Sequence, residues 1–309
     1  MEKMERFLAA SRGEQVDQPP VGCWVHFGSA LWDPELTATV HVRFLQDYDW
    51  DYLKVMDDFR FPTANGVQEA TSAEDLRAIG GSDLSYENFT KQVEVLTRIR
   101  AQVAGVPVID TVFSPLQTVI RTLGDSAVGL LRANPEIAHE VLGNVSDRLV
   151  EFVKSTAGIA DGIYFSVNGA SDDWHGWGLT EAEFKEWVAP YDKKVLEAAA
   201  DRVRIMHVHG YDLRESWVED YPVEVMSWSH NQSAPTLEEV AQGGRFVPMG
   251  GLDEVGALYW PPSRVRENVL ESRRKTGDKL IVAPGCTVHS DTPPAILRAL
   301  VEAARMPLG

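Results

Sequence analysis

Residues 202–250 read RVRIMHVHGYDLRESWVEDYPVEVMSWSHNQSAPTLEEVAQGGRFVPMG, and the pattern within this stretch decides the fold. It contains three short apolar runs rich in β-branched residues: Arg202–His209, Val223–Trp228 and Arg245–Gly250. Runs of this length predict buried strands, and the capping-box spacing of Thr236 and Glu239 predicts a helix between the last two runs. Short buried strands that alternate with helices are typical of a parallel sheet.

The same alternation continues towards both ends of the chain. The further predicted strands are Pro20–Phe27, Tyr52–Met56, Pro107–Phe113, Gly162–Val167 and Lys279–Gly285. Strands and helices in this order predict an α/β fold, a single (β/α)8 TIM barrel over residues 1–309, because such barrels routinely fill this length as one domain. Barrel active sites lie at the carboxyl ends of the strands, so the residues that end each strand are the candidates for chemistry.

The charge balance restricts the classes of partner. The chain has 29 Lys and Arg against 46 Asp and Glu, a formal net charge of −17. This charge repels phosphate backbones and anionic lipids, so neither nucleic acid nor a membrane is an expected partner. The two cysteines suit a reducing compartment, and the charged start MEKMERFLAASRGE lacks the apolar run of a signal peptide. We therefore expect a cytoplasmic protein that acts on a small molecule.

Two histidines and one cysteine at strand ends form the first candidate site. His207 and His209 are two residues apart on one predicted strand, and this spacing directs both side chains to the same face. Cys286 directly follows the last predicted strand, so a closed barrel brings it to the same mouth. Nitrogen and sulfur ligands with one open position are typical of a catalytic zinc site. Hydrogen-bonded barrel histidines and a small buried cysteine are the alternative interpretation, and spacing alone does not choose between them.

Five segments spread over nearly the whole chain carry a family resemblance. They read DWDYLKVMDD, VFSPLQTVIRTLG, MSWSH, MGGLD and, at the close, APGCTVHSDTPPAILRALVEAAR. In these segments the chain resembles the uroporphyrinogen decarboxylase superfamily, and the resemblance implies a (β/α)8 barrel. The superfamily includes decarboxylases and zinc-dependent methyltransferases, so the site residues must distinguish the two chemistries.

The arginines of the decarboxylase branch are missing from their expected place. True decarboxylases bind the carboxylates of a porphyrinogen with an RQAGR-like motif after the first strand. Here residues 24–32 read WVHFGSALW, and no Arg or Lys occurs between Arg12 and Arg43. A polyanionic substrate would lack this clamp.

The chain resembles the methyltransferase branch more closely. The ligand pattern of that branch is His-x-Cys followed far downstream by a Cys in a PGC-like segment. His207 and Cys286 match the first and last ligands, whereas His209 stands where the family has cysteine. The resemblance implies Zn²⁺ on His207, His209 and Cys286, a thiol as methyl acceptor, and a corrinoid carried by a separate protein. Decarboxylation and corrinoid or small-molecule binding without turnover are the alternatives.

The remaining candidates follow other strands. The predicted catalytic residues are Asp57, Asp110 and His26, and the predicted cofactor-binding residues are Trp174, His175 and His230. His26 could approach the metal, Asp110 could orient a ligating imidazole, and the aromatic loop around Trp174 could cover the pocket. Core packing, capping and a solvated acidic loop are the alternative roles for these positions.

Overall fold

A curled parallel sheet is the centre of the fold. The computed structural model describes residues 1–79, 87–172 and 178–308. Within these ranges the strands are β1 Leu53–Val55, β2 Val108–Phe113, β3 Gly162–Val167, β4 Ser171–Asp172, β5 Val203–Val208, β6 Tyr211–Leu213, β7 Val225–Trp228, β8 Val247–Leu252 and β9 Ile281–Pro284. A parallel sheet has the spatial order β1-β2-β3-β5-β7-β8-β9, and β4 pairs with β6 in a separate antiparallel ribbon. The α/β fold is confirmed, and each strand of the parallel sheet overlaps a predicted one, although β8 runs two residues past the predicted end at Gly250.

The predicted strand Pro20–Phe27 is wrong, because this segment contributes only one parallel bridge, from Val21 to Val282 in β9. On its other side, the carbonyl of Val21 accepts a hydrogen bond from the amide of Asp51, at 2.8 Å. Pro20 has no N–H to donate, and the amide of Val21 donates to the carboxylate of Asp51 at 2.9 Å instead of to a strand carbonyl. The segment therefore lies between β1 and β9 without being a strand, and the architecture is TIM-barrel-like with a seven-stranded parallel sheet.

Helices pack around the outside of the sheet. They are α1 Lys3–Ser11, α2 Pro34–Tyr48, α3 Ala73–Leu76, α4 Glu87–Gln102, α5 Pro115–Leu123, α6 Ser126–Ala133, α7 Pro135–Ser155, α8 Glu181–Trp187, α9 Ala189–Glu197, α10 Glu215–Val218, α11 Leu237–Gly243, α12 Pro262–Thr276 and α13 Pro294–Arg305. Short 3-10 helices cover Ser29–Leu31, Ala64–Gly66, Arg77–Ile79 and Gly256–Tyr259. None of the helices in the described ranges is long and apolar enough to cross a membrane.

Alternating side chains of the strands divide the core into two parts. The larger cluster lies between the sheet and the helices. The smaller cluster fills the inside of the curled sheet with Phe7, Ala10, Trp24, Tyr52, Met56, Ile109, Tyr164, Ile205, Val225, Met249, Ile281 and Ala283. Because the side-chain period of a strand is two, Ile205 inside the sheet places His207 and His209 on the inner face as well.

The capping box at the start of α11 is confirmed and gives a stability prediction. The hydroxyl of Thr236 accepts a hydrogen bond from the amide of Glu239 at 3.2 Å, and the Glu239 carboxylate accepts one from the amide of Thr236 at 2.8 Å. Thr236→Ala should lower the free energy of unfolding by about 1 kcal/mol, measured by urea denaturation. The control is Thr97→Ala on the exposed face of α4, which should be neutral or stabilising, and equal losses in both variants would contradict the capping role.

Candidate active site

A cavity of about 200 Å³ opens at the carboxyl edge of the sheet. His207, His209 and Cys286 all line it, together with His26. The sequence prediction that these side chains share one mouth is therefore in agreement with the structure. Barrel proteins carry their chemistry at this edge, so this cavity is the candidate active site.

His207 contacts Ser227 at the wall of the cavity. Its Nδ1 lies 3.2 Å from the hydroxyl of Ser227. A hydroxyl can donate or accept, so this hydrogen bond is compatible with either tautomer of the ring. The ring stacks on Tyr164, with centroids 5.3 Å apart. Burial, followed by the nearby His209 and Lys54, holds the pKa of His207 well below its usual range, so the imidazole is neutral at pH 7.

His209 and Cys286 complete the donor set that the sequence predicts. The rings of His207 and His209 have centroids 6.1 Å apart and planes at 74°. Burial, followed by the charge of Glu254, raises the pKa of the Cys286 thiol to about 11, so this thiol is protonated at pH 7. A metal ion bound here would have to displace that proton.

His207, His209 and Cys286 are donors of the kinds that bind zinc, but their side chains are not arranged around one point. Two imidazoles and a thiol are common zinc donors. If Nε2 of His207 bound a metal, its Nδ1 would donate to the hydroxyl of Ser227, which is the usual outer hydrogen bond of a ligating histidine. Within residues 1–79, 87–172 and 178–308, however, no three His, Cys, Asp or Glu side chains already form a group that could hold a metal ion. The donors face a common cavity, and their side chains would have to converge to bind an ion.

Glu254 is a functional candidate that the sequence analysis missed. It lines a second cavity of about 440 Å³, which shares His209 and Cys286 with the first. Its Oε2 is buried and has no hydrogen-bond partner in the described part of the chain. Burial raises the pKa of the Glu254 carboxyl, and a hydrogen bond with Ser229 partly opposes this rise. Glu254 lies two residues beyond the end of β8, which itself runs two residues past the predicted strand end at Gly250, so only a search extended by four residues would have found it.

His26 and the two acidic residues after β1 have separate environments. The Nδ1 of His26 donates to Asp58 at 2.7 Å. Burial alone would raise the pKa of the Asp58 carboxyl. The contacts with His26 and Ser29 outweigh this effect and lower the pKa to about 2. Burial raises the pKa of Asp57 to about 8, with a further rise from Asp110. Asp57 lines a neighbouring cavity of about 230 Å³ rather than the one beside His207.

Two other predicted residues lie away from the candidate active site. Asp110 accepts a hydrogen bond from Gln92 of α4 at 2.8 Å, so its side chain faces the helix layer and does not line the cavity. His230 accepts a hydrogen bond from the amide of Gly251 at 3.2 Å, and burial lowers its pKa to about 4. His230 lines neither cavity beside Cys286. Trp174 and His175, predicted to bind a cofactor, lie outside the described residues.

A curled parallel sheet with nitrogen and sulfur side chains around a cavity at its carboxyl edge defines a TIM-barrel-like protein. The family model for uroporphyrinogen decarboxylase (URO-D) matches residues 58–306. The chain therefore belongs to the uroporphyrinogen decarboxylase family, as the resemblance predicted.

Individual relatives represent both chemistries of the superfamily. A uroporphyrinogen decarboxylase of Synechococcus sp. (strain JA-3-3Ab) is 24% identical, over 97% of this chain and 92% of the relative. The methylcobamide:CoM methyltransferase MtbA of Methanosarcina acetivorans is 26% identical, over 75% of this chain and 68% of the relative. Among solved structures, a methyltransferase from Methanosarcina mazei superposes with a TM-score of 0.83 at 17% identity, covering 98% of both chains. This structural similarity supports the TIM-barrel-like fold of the chain.

Proposed function

We propose that this protein is a zinc-dependent methyltransferase that transfers a methyl group from a corrinoid carrier to a thiol. The observation that carries the proposal is that His207, His209 and Cys286 face one cavity. The relationship to the methyltransferase MtbA supports it.

The proposed ligands are Nε2 of His207, one ring nitrogen of His209 and the sulfur of Cys286. Zinc bound there would lower the pKa of a substrate thiol and so supply a nucleophile at neutral pH. With the metal bound, the hydroxyl of Ser227 would accept a hydrogen bond from Nδ1 of His207, and Cys286 would give up its proton. Glu254, which lines the second cavity beside Cys286, is placed to accept the proton of the substrate thiol.

The histidine at position 209 changes the charge of the proposed site. A neutral imidazole in place of a thiolate makes the ligand set more positive by one unit, which favours ionisation of a bound thiol. The more positive ligand set also draws electron density away from the sulfur of the bound substrate thiolate, so this sulfur is a poorer nucleophile. The protein should therefore work at lower pH than a relative with cysteine at this position, at some cost in intrinsic reactivity.

The direct test is methylation of a thiol in a defined mixture. Zinc-loaded protein, methylcobalamin and 3-mercaptopropionate should give the S-methyl product with matching loss of the methylcobalamin absorbance. Corrinoid binding without any methylated thiol, under anaerobic conditions and with metal present, would favour a binding protein over an enzyme. A protein that neither methylates a thiol nor binds a corrinoid would contradict the proposal.

Decarboxylation of uroporphyrinogen is the second candidate, because the Synechococcus decarboxylase matches nearly the whole chain. Its substrate carries several carboxylates that need cationic partners in a pocket, and residues 24–32 supply neither Arg nor Lys. Incubation with uroporphyrinogen should therefore give no coproporphyrinogen, as measured by chromatography of the oxidised porphyrins. Turnover faster than about one per second would show that other cations of this chain replace the missing arginines.

A further inference from the structure

The backbone fixes the tautomer of His230. Its Nε2 accepts a hydrogen bond from the amide of Gly251 at 3.2 Å and lies 2.8 Å from the side-chain amide nitrogen of Asn231. A backbone amide can only donate, so Nε2 has the lone pair and Nδ1 of the neutral ring carries the proton. Burial lowers the pKa of His230 to about 4, so the neutral ring is the form present at pH 7.

The Nδ1–H of His230 and one oxygen of Glu254 are both buried without a partner. Nδ1 forms no hydrogen bond with any residue of 1–79, 87–172 or 178–308. The same holds for Oε2 of Glu254, a residue that is only 7% exposed. An unpaired polar atom in a buried place is costly, and here one atom is a donor and the other an acceptor. A hydrogen bond between them would remove both costs.

Both atoms lie beside Gly285. A Cβ added to Gly285 would be 2.6 Å from Oε2 of Glu254 and 3.1 Å from Nδ1 of His230. The two atoms therefore border the same small space, which is open because position 285 has no side chain. A Cβ on Gly250 would also lie 2.8 Å from Nδ1 of His230. Two glycines, one in β8 and one directly after β9, thus make room for the imidazole next to the carboxyl.

Glu254 connects this space to the candidate active site. It lines the cavity of about 440 Å³ together with Cys286. Ser229 forms a hydrogen bond with the carboxyl, and Oε2 is the oxygen that still lacks a donor among the described residues. His230 lines neither cavity beside Cys286, so it can act on a reaction there only through another residue.

We propose that His230 is a positioning residue for Glu254, and that its Nδ1–H donates to Oε2 after a small rotation of the carboxyl. This bond holds the Glu254 carboxylate in one orientation as it takes the proton of the substrate. When the S–H bond of a substrate thiol breaks, its proton moves to the carboxylate and its electron pair stays on sulfur. The thiol rests on the proposed function, whereas the pair of side chains rests on the two unpaired atoms and the glycines beside them.

The first experiment detects the pair without any reaction. In the full-length protein, labelled with the heavy nitrogen isotope in its histidine rings, the Nδ1–H resonance of His230 is the one that disappears in His230→Asn. This proton should exchange slowly with water in the wild type, and about tenfold or more faster in Glu254→Leu, where the acceptor is gone. Glu254→Gln keeps a carbonyl acceptor and should give a smaller increase. A wild-type proton on Nε2, a resonance lost to rapid exchange, or equal rates in all three proteins would overturn the pair.

The second experiment measures the effect of the pair on methyl transfer to 3-mercaptopropionate. His230→Leu should lower kcat about tenfold or more and change KM less than about twofold, because the lost bond orients a base and not the substrate. His230→Asn should stay within about threefold of the wild type, because its side-chain amide puts an N–H at the place of Nδ1. The control is His139→Asn on the outer helix α7, which should leave both values unchanged. Equal losses in the Leu and Asn variants of His230 would contradict the positioning role.

The two experiments distinguish this inference from the proposed function. A slowly exchanging Nδ1–H that depends on Glu254, in a protein that methylates no thiol, would keep the pair and overturn the proposed function. Methylation of the thiol, with an exchange rate that does not depend on Glu254, would do the opposite. If Glu254→Leu does not fold, Glu254→Gln decides the first experiment, and an unchanged exchange rate in that variant would overturn the pair.

Discussion

The double variant His207→Ala, Cys286→Ala should lose its zinc completely, whereas the wild-type protein should retain about one equivalent per chain. Removing two of three donors leaves one imidazole, which cannot hold the metal against dilution or a weak chelator. Methyl transfer to a thiol should disappear with the metal, because the free thiol is mostly protonated at neutral pH. Elemental analysis of the purified proteins, after dialysis against zinc and then against buffer, measures the content directly.

Cys23→Ala is the matched control for this experiment. Cys23 is the other cysteine of the chain, it is buried in the core between the sheet and the helices, and it does not line the cavity. Its place in this core, away from the cavity, makes it a packing residue, and burial raises the pKa of its thiol to about 12. This variant should keep its zinc. Full retention of zinc in the double variant, or a wild-type protein that cannot be loaded, would contradict the proposed ligands.

Gly285→Ala should reduce methyl transfer about 100-fold without unfolding the protein. A Cβ at position 285 would lie 2.6 Å from Oε2 of Glu254 and 2.9 Å from the backbone oxygen of Trp228. The backbone of β7 cannot yield easily, so Cys286 and Glu254 would both move. A displacement of about 1 Å at a reacting group can cost 10²-fold in rate. Steady-state kinetics gives the effect, and the circular dichroism spectrum checks that the fold is retained.

Gly129→Ala provides the comparison for this effect. Gly129 lies within α6, and a Cβ there would meet no other atom within 4 Å. Alanine favours a helix interior over glycine, so this variant should be as active as the wild type and slightly more stable. Equal activity of Gly285→Ala and Gly129→Ala would show that the close packing at Gly285 does not position Cys286.

The sequence was sufficient to predict the strands of the parallel sheet, because their apolar runs are short, buried and separated by helix signals. It failed at Pro20–Phe27, where the composition is that of a strand but the hydrogen bonding is not. The amide of Val21 is taken by the Asp51 side chain, a contact across 30 positions that local composition cannot reveal. The same limit applies to Asp110, whose partner Gln92 on α4 shows that it faces the helix layer.

The candidate site could be predicted in part for a similar reason. A strand period of two fixes the relation between His207 and His209, and the strand-end rule brings Cys286 to the same mouth. The surroundings of Lys54 could not be predicted in this way. Lys54 lies in β1, but its contact with Tyr164 of β3 is a product of packing between distant elements. Glu254 lies four residues beyond Gly250, where the predicted strand ended, and was missed for that reason.

The most direct test of the central claim is zinc K-edge X-ray absorption of the zinc-loaded protein, before and after addition of 3-mercaptopropionate. Without the thiol, the spectrum should require one sulfur at about 2.3 Å and nitrogen neighbours at about 2.0–2.1 Å. With the thiol, a second sulfur should enter at about 2.3 Å while the nitrogen neighbours remain. This result would place the substrate thiol on a metal held by two histidines and one cysteine. A spectrum that contains no sulfur, or that does not change when the thiol is added, would contradict the account.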